Sequence, residues 1–109
     1  MNILFIGDIV GRPGRVAIQK LLKSVQTEYN IDFSIVNGEN AAGGNGITRE
    51  VAEEIYQAGA NCITTGNHVW DQRQVFEFIN QDNKLVRPSN YPAGAPGRGF
   101  TVLKSPKGI

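Results

Sequence analysis

Short apolar runs alternate along this chain with longer stretches of helical spacing, and that alternation admits few folds beyond a parallel sheet crossed by helices. Ile3 to Ile6 is continuously apolar, as for a strand covered on both faces. After the glycine-rich loop Gly7 to Gly14, Val16, Ile18, Leu21, Leu22, Val25 and Tyr29 recur at helical spacing over Arg15 to Tyr29, with Asn30 as the stop. Ile31 to Val36 reads as a second strand and Asn37 to Gly46 as its loop. Thr48 is placed to cap a second helix with Glu50 in its first turn, Val51, Ile55 and Ala58 as its apolar stripe and Gly59 as its end. Asn61 to Thr65 is a third strand. Asp71 is placed to cap a third helix through Val75, Phe76 and Ile79 to about Asn80. Lys84 to Arg87 is a fourth strand closed by Pro88, and Tyr91 to Gly99 is loop by composition. Phe100 to Leu103 reads as a fifth. The expected class is α/β, a mainly parallel sheet with flanking helices in one domain.

Three helices cover five strands poorly, so further chain or a partner is expected to complete the sheet. The run Ser105-Pro106-Lys107-Gly108-Ile109 reads as a turn. A homo-oligomer is compatible with this pattern without being dictated by it.

The polar residues fall at equivalent places. Strand one ends Ile6-Gly7-Asp8, strand two Asn37-Gly38-Glu39-Asn40, and strand three Thr65-Gly66-Asn67-His68. In an open parallel sheet the loops that follow the strands open on one edge, where ligands bind, so these residues should converge. Asp8 and Glu39 supply anionic oxygens, Asn40 and Asn67 carboxamide oxygens, and His68, the one histidine, a ring nitrogen. That oxygen-rich set suits Mg, Mn or Fe better than a thiophilic metal. Two anions held together repel unless a cation lies between them, and two such ions clamp a phosphoryl group and activate water. Two six-coordinate ions need on the order of ten donor positions, more than these five side chains supply. Each residue also has a plain alternative: Asp8 as a loop or helix cap, Glu39, Asn40 and Asn67 as turn residues, His68 as packing against Trp70.

The glycine loop matches neither common nucleotide fingerprint. G-x-G-x-x-G would need glycine at Ile9, and a P-loop would need Lys where Arg15 stands. Arg12 and Arg15 beside a helix start are placed to hold a phosphate or simply to face solvent. Asn90, Tyr91 and Arg98 lie in the late loop, as substrate contacts or as loop anchors.

Eleven Lys and Arg against ten Asp and Glu leave a net charge of +1, which gives no footprint for double-stranded nucleic acid or an anionic membrane. No apolar run approaches the roughly 18 residues that span a bilayer, and the N-terminus lacks a basic signal-type region. The single cysteine, Cys62, lies in a strand and reads as a buried thiol. A cytoplasmic protein without membrane partners is expected.

Four runs together resemble one family: Gly7-Asp8-Ile9-Val10-Gly11-Arg12-Pro13-Gly14, Asn37-Gly38-Glu39-Asn40-Ala41-Ala42-Gly43-Gly44, Thr65-Gly66-Asn67-His68-Val69-Trp70-Asp71 and Arg87-Pro88-Ser89-Asn90-Tyr91-Pro92. They are similar to the YmdB-like branch of the calcineurin-like metallophosphoesterases, over nearly the whole chain. The resemblance implies the first half of an αββα sandwich, residues 1–109 being the N-terminal part of one domain. It implies a phosphodiesterase using two divalent ions (Fe, Mn or Mg), with 2′,3′-cyclic nucleotides as substrate class. It further implies Asp8, Glu39, Asn40 and Asn67 as metal ligands, Glu39 as their bridge and His68 as the residue serving the leaving oxygen. Arg12, Asn90 and Tyr91 are the substrate-binding candidates. The wider superfamily places histidine where Val10 stands here, and the family carries further histidine ligands in a C-terminal half this sequence lacks. The rival expectation is a non-catalytic nucleotide- or metal-binding regulatory module.

Overall fold

The computed structural model describes residues 1–105. Strands β1 (Ile3–Ile6), β2 (Phe33–Asn37), β3 (Cys62–Thr64) and β4 (Leu85–Val86) alternate with helices α1 (Gly11–Glu28), α2 (Arg49–Ala58) and α3 (Val75–Phe78), and a 3-10 turn spans Asn67–Trp70. All pairings are parallel, in the order β1-β2-β3-β4, with Ile6 opposite Val36 and Asn37 opposite Thr64. The mixed α/β class with a parallel sheet and flanking helices is as the pattern dictates.

The strands follow one another in space as in sequence. Right-handed crossovers that all step the same way place every helix on one face. The core therefore lies between that face and the helices, built on Ile18, Leu22, Val36, Ile55, Ile63, Val75, Ile79 and Leu85. The other face carries no helix and is exposed at β1, where Ile3 and Phe5 are 58% and 59% exposed, while Cys62 further along it is buried. This corrects the expectation that β1 is covered on both faces: an apolar run reports what a strand is suited to, not how many layers are present.

Three further expectations give way. The helix expected from Arg15 begins at Gly11, so the glycine loop shrinks to residues 7–10. Pro13 fits there because the first helical turn does not need its missing N–H. The third helix is cut to one turn because the 3-10 turn takes up the chain after β3, and Asp71 ends that turn instead of capping α3. Phe100 to Leu103 is not a strand. The two-residue β4 offers no ladder to extend, Thr101 Oγ1 only donates to the Asn83 carbonyl at 2.7 Å, and Phe100 and Val102 are 80% and 87% exposed. The turn expected over residues 105–109 lies, from Pro106 on, outside the described residues.

Other local signals are realised. The Thr48 side chain accepts from the Val51 N–H at 3.3 Å, and Asn30 after α1 is left-handed at φ +54°. Gly59 ends α2 at φ +126°, where Gln26 donates to its carbonyl at 2.9 Å.

Candidate functional site

The C-terminal edge of the sheet is drawn together by its backbone before any side chain contributes. The Ile9 N–H donates to the Asn37 carbonyl at 3.3 Å, Gly11 N–H to Asn40 at 3.0 Å, and Gly38 N–H to Thr64 at 2.9 Å. Val10 and Asn40 form an isolated parallel bridge that carries the β1–β2 pairing beyond the strands. Val10 is thus engaged in backbone pairing. Buried Ile9 anchors the first loop, and Gly14 packs so tightly on it that a Cβ there would lie 3.0 Å from the Ile9 Cβ.

Side chains then meet along this edge. Asp8 sits at φ +29°, a conformation that L side chains adopt only under constraint. Its carboxylate accepts a hydrogen bond from Asn40 Nδ2 at 2.8 Å. The Glu39 carboxylate lies directly against Gly66, where a Cβ would collide with all three carboxyl atoms. Gly66 is extended at φ −141°, so glycine is needed there for the carboxylate and not for the backbone. Asn67 follows immediately as the first residue of the 3-10 turn. Asp8 and Asn40 are thus joined across β1 and β2, and Glu39 reaches from β2 to the residue before Asn67. Among the described residues, no three His, Cys, Asp or Glu side chains form a group that could hold a metal ion. The donors are instead mixed, two carboxylates and two carboxamides. Their oxygen chemistry, with the cradle at Gly66 that only glycine leaves free, fits part of the shell of a hard divalent cation.

His68 Nδ1 lies 2.8 Å from Asp71 Oδ2, which fixes the ring's rotation and favours the tautomer with its proton on Nδ1. Asp71, read from sequence as a helix cap, is therefore the histidine's partner; its i+3 spacing from His68 was the available signal. The segment carrying both packs on the loop after β2, with Gln72 Nε2 donating to the Asn45 carbonyl at 2.9 Å. Gly46, at φ +72°, makes room, since a Cβ there would lie 3.2 Å from the His68 carbonyl oxygen.

The remaining candidates divide. Arg12 is exposed in the first turn of α1. Arg15 is committed elsewhere, pairing with Glu54 at 2.8 Å and donating to the Ala41 carbonyl at 2.6 Å, so it braces α1 against α2 instead of facing a phosphate. Asn90 is exposed in the late loop, Tyr91 packs on Trp70, and Arg98 donates to the Asn80 carbonyl at 3.3 Å. Cys62 is buried, and burial raises its thiol pKa, followed by the charge of Asp82. No helix among the described residues is long and apolar enough to cross a membrane.

Fold and edge together define the class: an α/β protein whose parallel sheet presents acidic, amide and imidazole groups at its C-terminal rim. The chain belongs to the YmdB-like protein family, whose profile matches residues 4–109. It is 48% identical over 105 residues to a 2′,3′-cyclic-nucleotide 2′-phosphodiesterase of Bacillus subtilis (strain 168), covering 96% of this chain and 40% of that one. It is 37% identical over 90 residues to a putative phosphatase/phosphodiesterase of Mycoplasma pneumoniae, covering 83% and 32%. Among solved structures it resembles a hypothetical protein of Thermus thermophilus, at TM-score 0.87, 41% identity and coverage of 94% and 40%. It also resembles a novel phosphatase of Mycoplasma pneumoniae, at TM-score 0.83, 34% identity and coverage of 94% and 39%. The chain thus spans between about a third and two fifths of the length of these proteins.

Proposed function

We propose that this chain forms the N-terminal part of a metal-dependent phosphodiesterase domain that hydrolyses 2′,3′-cyclic nucleotides. One observation carries the reading: Asp8 with Asn40, and Glu39 against Gly66 beside Asn67, line successive strand ends of one rim. The name of the Bacillus subtilis relative supports the substrate class.

Asp8, Glu39, Asn40 and Asn67 would hold the divalent ions, with Glu39 the best placed to serve two of them because it reaches from one strand end to the next. When bound, such ions supply charge neutralisation at the phosphoryl oxygens and an activated water. The chain's own residues do the rest. Gly66 leaves the space that keeps the Glu39 carboxylate in place. Asp71 orients His68 so that Nε2 is the ring nitrogen free for proton transfer. Water attacks phosphorus and releases a proton, the bond to one ribose oxygen breaks, and His68, carrying a proton on Nε2 as well as on Nδ1, delivers the Nε2 proton to that oxygen and regains the one the water released. Four oxygen-bearing side chains and one imidazole fall short of the on the order of ten positions that two ions need. The balance would come from water and from the three fifths or more of the relatives' length outside this chain. That shortfall is also the observation favouring the second reading, a nucleotide- or metal-binding module without turnover.

Hydrolysis of adenosine 2′,3′-cyclic phosphate with added Mn²⁺ separates the two, measured on this chain and on a version extended to the relatives' length. Turnover by the extended protein that Glu39→Ala abolishes supports the enzyme. Nucleotide or Mn²⁺ binding without turnover in either supports the module.

A further inference from the structure

The fourth strand brings no oxygen donor of this kind to the rim; it brings Arg87. That side chain is buried, and its guanidinium donates to the carbonyls of Pro96 at 3.0 Å, Pro88 at 3.0 Å and Pro92 at 3.4 Å. Its own N–H donates to the Arg98 carbonyl at 2.9 Å. Three prolyl carbonyls spaced four residues apart converge on one cation, and that gathering gives the loop over residues 88–98 a defined shape without helix or sheet. Tyr91 is thereby set against Trp70, with ring centroids 5.7 Å apart and planes at 59°. Phe76 stacks on Trp70 at 5.4 Å and 15°. Phe76 is 51% exposed, against half-buried Trp70 and Tyr91, so its ring is the most accessible aromatic surface of the cluster. All three rings come from segments that follow the C-terminal ends of β3 and β4, and Trp70 shares its 3-10 turn with Asn67 and His68.

We propose that Trp70, Phe76 and Tyr91 form a nucleobase subsite beside the rim, with a base stacked on the exposed ring of Phe76 and the loop pinned by Arg87 holding Tyr91 against Trp70, the ring that backs Phe76. The inference rests on the phosphodiesterase reading for what occupies the rim, and adds what holds the substrate away from phosphorus. The strand order supports it, because the anionic and amide donors occupy the β1–β3 stretch of the edge and the aromatic rings the β3–β4 stretch. A nucleotide's two ends differ in the same way, a charged phosphate and a flat apolar ring. Stacking on a π-face accepts any base, with purines favoured over pyrimidines only by their larger overlap.

Trp70 is the single tryptophan of the chain, which makes its fluorescence a direct reporter. Adenosine 3′-monophosphate should change Trp70 emission at concentrations about tenfold or more below those of ribose 5-phosphate, the stacking contribution per base. Phe76→Ala, at an exposed position that spares the core, should remove most of that preference while leaving Mn²⁺ affinity unchanged. Arg87→Lys should loosen the loop, raise acrylamide quenching of Trp70 and weaken the preference, because an ammonium cannot reach three carbonyls in one plane. Equal affinity for the nucleotide and ribose 5-phosphate overturns the proposal, as does a preference that survives Phe76→Ala. If Phe76→Ala lowers Mn²⁺ affinity as much as nucleotide affinity, the rings merely prop the rim and the proposal again falls. A wild-type chain that shows the base preference but binds no Mn²⁺ removes the reading of the rim and leaves the subsite standing.

Discussion

Gly66→Ala is the sharpest test of how the rim is built. The new Cβ would overlap the Glu39 carboxyl carbon and both its oxygens. These atoms are the far end of a flexible side chain, so the carboxylate moves and the backbone does not. Gly66 is already extended, at φ −141° and ψ −150°, and alanine meets no left-handed strain there. Folding stability should therefore be unchanged, or raised by about 0.4–1 kcal/mol through the smaller entropy of the unfolded chain. The site should suffer instead: pushing the carboxylate proposed as a ligand from its place should weaken Mn²⁺ affinity by about 10–100-fold, as for displaced supporting groups generally. Mn²⁺ binding by electron paramagnetic resonance and thermal unfolding, run on the same two proteins, give both numbers. Unchanged Mn²⁺ affinity would refute the role given to Glu39. A drop in stability of several kcal/mol, the size expected of a core lesion, would refute the claim that only the carboxylate yields.

Other expectations follow from single contacts. His68→Ala in the protein extended to the relatives' length should slow turnover by about 10²–10⁴-fold with Mn²⁺ affinity kept; unchanged turnover removes His68 from the mechanism. Asp71→Asn should slow the same reaction by about 10–100-fold by loosening the ring's orientation, without altering nucleotide affinity. Tyr56 is partly buried and its hydroxyl donates to Asp82 Oδ2 at 2.7 Å; that burial, then the bond and the charge of Asp82, push its pKa far above the ordinary tyrosine value. The neutral form is favoured in the fold, so this stabilisation is complete below about pH 10 and is lost at higher pH, by about 1.4 kcal/mol per unit. Tyr56→Phe should flatten that alkaline decline in urea denaturation, and parallel curves for the two proteins would refute the assignment. Cys62, buried with a raised thiol pKa, should react with a disulfide reagent at neutral pH far more slowly than in urea.

The rim was legible in sequence because it follows from topology. Once three strands alternate with helices, Asp8, Glu39–Asn40 and Asn67–His68 must lie on one edge, whatever the details of packing. What sequence hid were features set by neighbours. The exposure of Ile3 and Phe5 depends on which face the crossovers take, and an apolar strand reads the same with one face covered or two. Asp71 looks like a helix cap until the chain after β3 winds into a 3-10 turn that carries it under His68. Arg15 at a helix start and Arg87 at a strand end carry no sign in sequence of what will hold them. One is held by Glu54 and the other by three prolyl carbonyls, and only tertiary structure distinguishes them. Phe100 and Val102 carry strand-forming side chains with no neighbouring ladder to join.

Locating a bound cation directly is the decisive measurement. Crystals of this chain soaked in Mn²⁺ and recorded at an anomalous wavelength should show a peak within a coordination distance of about 2.0–2.6 Å from oxygens of Asp8 and Glu39, with Asn40 turned from its present hydrogen bond to join them. A peak at any other place, or occupied crystals in which Asp8 and Glu39 share no ion, would contradict the account.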